Sequence, residues 1–106
     1  MAYKVLGQAA PAATTATDLY TVPSAKSTVV STVSACNRST SAITYRVSVR
    51  IGGAAATNAQ YLAYDANLPP NSTDFITVGL TLGVGDVITV YASSATASFN
   101  AFGNEA

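Results

Sequence analysis

The chain reads as all-β: a single antiparallel β-sandwich of about eight strands, jelly-roll or immunoglobulin-like in type, with an extended N-terminal arm. Three observations predict this. Through residues 42–51 the apolar Ile43, Tyr45, Val47, Val49 and Ile51 alternate with Thr44, Arg46, Ser48 and Arg50. Strict period-two alternation is the mark of a half-buried antiparallel strand. Clusters of Gly, Pro, Asn and Ser punctuate the chain at short, regular spacing, as in sandwiches and barrels. No segment sustains the 3.6-residue period of an amphipathic helix over the ~11 residues that such a helix needs.

The elements follow in order. Residues 1–16 are expected to form the arm and residues 17–106 the sandwich domain. Within the arm, Ala and Thr dominate residues 9–17 and no large side chain is present to bury. Tyr3, Lys4, Val5 and Leu6 have strand character and are candidates for adding a strand to a partner's open sheet edge. Residues 18–22 are a short strand, turned by Pro23-Ser24-Ala25-Lys26. Residues 27–36 are a longer strand in which Val29, Val33 and Ala35 oppose Val30, Thr32 and Cys36, so both faces are expected to be partly covered. Residues 37–41 are a loop. After the alternating strand come Gly52-Gly53, a loop of small residues, and a strand over residues 60–65 carrying Tyr61, Leu62 and Tyr64. Pro69-Pro70-Asn71-Ser72 is a turn. Residues 75–80 and 87–92 then read as a hairpin across Gly83-Val84-Gly85-Asp86, with Gly85 supplying a positive φ. Ile76, Val78, Leu80 and Leu82 share one face of the first arm; Ile88, Val90 and Ala92 share one face of the second. Val87 and Tyr91, on the opposite face, are left for a partner. Residues 97–102, with Phe99 and Phe102, are the last strand.

Composition narrows the function. A length of 106 residues is one domain. Apolar residues make up 49% and charged residues only 9%, against ~25% charged in an average soluble domain. Five Lys/Arg balance five Asp/Glu, so no field steers the chain toward nucleic acid or an anionic membrane. Zero net charge with a positive mean hydropathy favours association. The single Cys36 excludes an intramolecular disulfide and reads as an inert, buried small hydrophobe. No basic-then-apolar leader is visible and no apolar run is long enough to span a bilayer. Asn37-Arg38-Ser39 and Asn71-Ser72-Thr73 match the glycosylation pattern but read as turn chemistry.

The chemistry of catalysis is missing. There is no histidine, the usual general base and metal ligand. The carboxylates Asp18, Asp65, Asp74, Asp86 and Glu105 are scattered singly, and capping of turns accounts for Asp18, Asp74 and Asp86. No enzyme activity, catalytic residue, cofactor or metal is expected. Arg46 and Arg50 form the only cationic row; they read as a solvated sheet face, or else as a contact for acidic groups on a partner.

Several short elements carry a resemblance. They are the opening MAYKVLGQ, Leu19-Tyr20-Thr21-Val22-Pro23, Cys36-Asn37-Arg38-Ser39, Tyr61-Leu62-Ala63-Tyr64-Asp65, the Leu82-x-x-Gly85-Asp86-x-Ile88-x-Val90 run, and Phe102-Gly103-Asn104-Glu105. In order and spacing they span nearly the whole chain. The chain resembles small virion structural proteins of tailed bacteriophages, cyanophage-like in type, of the decoration, cement or tail-fibre kind. The resemblance implies a β-sandwich that assembles on a capsid or tail, as a homotrimer and against other virion proteins such as the major capsid protein. Size favours a capsid decoration or cement protein, since 106 residues hold a domain and an arm but no fibre shaft. A small tail, neck or fibre component used in attachment is the alternative. A carbohydrate-binding module, with Tyr61, Tyr64 and Tyr91 as stacking surfaces for a glycan, is a further one. The partner-binding candidates are Tyr3, Lys4, Val5, Leu6, Arg46, Arg50, Val87 and Tyr91.

Overall fold

The structure is a computed structural model that describes residues 2–106. Nine strands occur among them: β1 (Ala2–Ala9), β2 (Thr17–Thr21), β3 (Thr28–Asn37), β4 (Ile43–Arg50), β5 (Tyr61–Leu68), β6 (Thr73–Ile76), β7 (Leu80–Leu82), β8 (Val87–Ala92) and β9 (Ala97–Glu105). Two single-turn 3₁₀ segments, Ile51–Gly53 and Asn58–Gln60, lie between β4 and β5. The strands form two antiparallel sheets packed face to face. The first runs β1-β9-β3-β6, with β7 pairing β3 beyond β6; the second runs β2-β8-β4-β5. β9, the last strand, therefore sits inside the first sheet, between β1 and β3.

The interior is built from small and medium side chains. Ala35, Ala92, Ala97 and Ala101 line it beside Val30, Val33, Val47, Ile88, Val90 and Leu68, and Phe99 is its largest fully buried member. Burying a side chain of the Val, Leu or Phe kind stabilises the fold by roughly 1.5–3 kcal/mol. The alternation over residues 42–51 survives as β4, with Ile43, Tyr45 and Val47 buried. Ile51 leaves the pattern: it begins the first 3₁₀ turn and is exposed.

The expected hairpin over residues 75–92 is not formed. β6 and β7 belong to the first sheet and β8 to the second. The Gly83–Asp86 turn carries the chain across the interior, so the apolar faces of the two halves meet through the core rather than lying side by side. Gly85 does hold φ 81°, and Asp86 closes the turn by accepting from the Gly83 amide at 2.9 Å and the Gly52 amide at 2.8 Å. Residues 77–79 interrupt the strand with Gly79 at φ 66°, and this break turns Val78 outward to 67% exposure. Tyr3 to Leu6 lie in β1, paired along β9 of the same chain.

Departures from period two have one physical source. At four strand pairs extra residues enter one strand: Leu6 against β9, Leu19 against β8, Ser31 against β9, and, in β5 against β4, Leu62 and one of Tyr64 and Asp65. Each bulge shifts the phase of every side chain beyond it. In β2 it turns both Leu19 and Tyr20 inward. In β3 it puts Val30 with Val33 and Ala35 on the buried face and leaves Val29 outside, correcting the facing expected from strict alternation.

Candidate functional site

The two outer sheet faces differ in chemistry. On the second sheet, Asp18, Thr89, Ser48 and Tyr61 stand side by side across β2, β8, β4 and β5. Arg46 and Tyr91 form the row on one side of these and Arg50 and Val87 the row on the other. The β4–β5 bulge sets two residues, Tyr64 and Asp65, opposite the single Arg46. Asp65 sits at φ 49°, a left-handed conformation uncommon outside glycine. Arg46 consequently gains both partners. Its Nε and Nη2 donate to the two Asp65 oxygens at 2.6 and 3.1 Å. Its guanidinium carbon stands 4.2 Å from the Tyr64 ring centroid and 4.3 Å from that of Tyr91, a double cation–π stack. The Asp65 hydrogen bonds hold the guanidinium pKa up and its own carboxyl down.

Arg50 is held as firmly. It donates to Asp18 Oδ1 at 3.0 Å, to Thr89 Oγ1 at 3.0 Å, and to the Gly53 and Ala54 carbonyls at 3.1 Å each. The expected solvated cationic row is thus a set of ion pairs, and Asp18 serves Arg50 and Thr89 rather than capping a turn. Asp18, Arg46, Ser48, Arg50, Tyr61, Thr89 and Tyr91 line a recess of ≈ 370 Å³, together with Thr14, Ala16 and Ala56. Val87, a partner candidate in the sequence, lies outside the recess, buried near Gly53.

Among the described residues the outer face of the first sheet has no charge. Across β1, β9 and β3 the register places Tyr3 beside Asn104 and Val29, and Val5 beside Phe102 and Thr32; Phe75 of β6 flanks Ser34. Tyr3 is 78% exposed, Phe75 66% and Phe102 37%, and Val5 and Val29 are also open. Of the arm candidates, Tyr3 and Val5 belong to this face. Leu6 packs against the core, and Lys4 pairs with Glu105 at 3.1 Å. That carboxylate also accepts from the Tyr20 hydroxyl at 2.6 Å, the main reason its pKa is lowered.

No known family model, curated protein or solved structure matches the chain. Among the described residues no group of three His, Cys, Asp or Glu could hold a metal ion. No helix is long and apolar enough to cross a membrane. Cys36 is half-buried on β3. Asp74 accepts from the buried Tyr45 hydroxyl at 3.0 Å and, like Asp18, is no turn cap.

Alternation along β4 was enough to put Arg46, Ser48 and Arg50 on one face. The partners Asp18, Asp65 and Thr89 were missed because they arrive through strand order and a bulge, neither of which leaves a local signal. The exposure of Val29, Phe75 and Phe102 was not read from the sequence for the same reason.

Proposed function

We propose that this chain is a non-enzymatic structural protein of a bacteriophage virion, a decoration or cement protein that stabilises the capsid head. The observation that carries this reading is the uncharged, open apolar face of the first sheet, with Tyr3, Val5, Val29, Phe75 and Phe102 exposed. Val5 and Phe102 are register partners on this face, and exposed apolar groups brought together on one face mark an interaction surface. The partners are the major capsid protein and further copies of the chain, as a homotrimer. β1 has a neighbour on one side only, which leaves its outer edge free to extend a partner's sheet.

Strand order adds support. With β6 and β7 counted as two halves of one strand, the sheets run first-eighth-third-sixth and second-seventh-fourth-fifth. This order supports a jelly-roll reading, an architecture recurrent in viral shell domains. The immunoglobulin order keeps the first two strands in one sheet, whereas β1 and β2 lie in opposite sheets.

Quantitative mass spectrometry of purified particles of the encoding phage tests the reading. The expected copy number scales with that of the capsid subunit, and particles lacking the protein should lose DNA on mild heating while adsorbing normally. A few copies per particle with an adsorption defect would replace it by a tail or fibre role.

A further inference from the structure

We infer that the recess on the outer face of the second sheet binds a neutral saccharide. This goes beyond the virion reading and does not depend on it. Its four charges are matched one to one, Arg46 with Asp65 and Arg50 with Asp18. With each charge already neutralised by its partner, the recess favours neither an anion nor a cation.

The recess is nonetheless not inert. Ser48 lines it; its hydroxyl makes no hydrogen bond among the described residues and is open to a ligand. Arg46 spends Nε and Nη2 on Asp65, leaving Nη1 to donate. Asp18 receives both its bonds on Oδ1, leaving Oδ2 to accept. A donor, an acceptor and a two-way hydroxyl thus stand beside the Tyr91 and Tyr61 rings. Alternating hydroxyls over an apolar C–H face, as in a pyranose ring, complement this set. The volume of ≈ 370 Å³ lies at the small end of ligand sites, ~300–1,000 Å³. Clamping of Arg46 between two tyrosines lowers the ordering cost of binding.

Titration of the ¹⁵N-labelled chain with the methyl glycosides of glucose, galactose, mannose and N-acetylglucosamine, together with a glycan array, tests the inference. At least one neutral sugar should shift the Asp18, Ser48, Thr89 and Tyr91 amides and the Arg46 Nε–H signal. Ser48→Val should weaken that sugar roughly fivefold or more, the effect of one lost hydrogen bond. Asp18→Asn, which keeps size and the Oδ1 acceptor, should also weaken it and guards against misfolding of the first variant. Silence of every neutral glycan, an unchanged affinity in both variants, or selective binding of inorganic phosphate would each overturn the inference.

Discussion

Asn37 holds more of the molecule together than any other polar side chain. It is 1% exposed. Its amide donates to the carbonyls of Ser41, Leu68 and Pro69, and its oxygen accepts from the Ser39 amide, the Ser39 hydroxyl and the Thr96 hydroxyl. Three segments distant in sequence are thereby joined at one end of the sandwich. Asn37→Ala strands several buried groups at ~1–3 kcal/mol each, so urea denaturation should show a loss of about 3 kcal/mol or more. The same burial excludes Asn37 as a glycan acceptor in the folded chain. Two tyrosines are tied to carboxylates. Burial first, and then the bond to Asp74, pushes Tyr45 up to about 12; burial and Glu105 raise Tyr20. A phenol raised in the folded state adds stability that is complete below its ordinary 10.0 and is lost as pH rises through the folded value. Phenolate absorbance should therefore show late-titrating tyrosines that vanish on unfolding, and Tyr45→Phe should flatten the loss of stability between pH 10.0 and about 12. Glu105 acts at the other end: its lowered pKa adds stability above the ordinary 4.5, lost as pH falls through the lower folded value.

At the scale of the strand, the bulges decide which side chains meet. Gly103 shows how tightly one of them is fitted. It pairs with Val30 beside the Ser31 bulge, and a Cβ there would collide with the Val29 carbonyl oxygen and come within 2.9 Å of the Val30 Cα. Gly103→Ala must displace backbone, not a flexible side-chain tip, and should cost ~1–3 kcal/mol as overpacking, read as a lower urea midpoint at unchanged slope. What was legible in the sequence divides along the same line. β4 could be read residue by residue because no extra residue enters it. Val29 and Val30 could not, since a single inserted Ser31 reverses their facing. Tyr64 and Asp65 looked like ordinary strand residues; their joint claim on Arg46 exists only because the bulge sets two residues against one. Turn chemistry was legible as turns, through Pro69, Pro70 and Gly85, but not as direction: the glycines at 83 and 85 permit either a hairpin or a crossing between sheets.

At the scale of the molecule, the all-β class and the two-sheet packing were legible from alternation and punctuation alone. Strand order was not, because β1 pairs with β9 and β2 with β8 across nearly the length of the chain, and such pairing is set by the closing of the whole core. The contrast between faces is likewise a global property. Phe102→Asp, on the open face, should leave thermal stability nearly unchanged while abolishing self-association in sedimentation velocity and incorporation into particles. Phe99→Ala, three residues earlier and fully buried, should cost ~3–5 kcal/mol and act through folding. The central place of β9 has a consequence for how the chain is made. During synthesis β1 and β3 emerge well before the strand that must lie between them. The first sheet cannot zip progressively, and both strands keep a bare edge until residues 97–105 arrive. Pairing this distant in sequence is slow, and bare edges are sticky. A chain with so little charge has few means of its own to keep those edges apart in the interval, and its yield in a crowded cell should rise when a holdase chaperone is supplied.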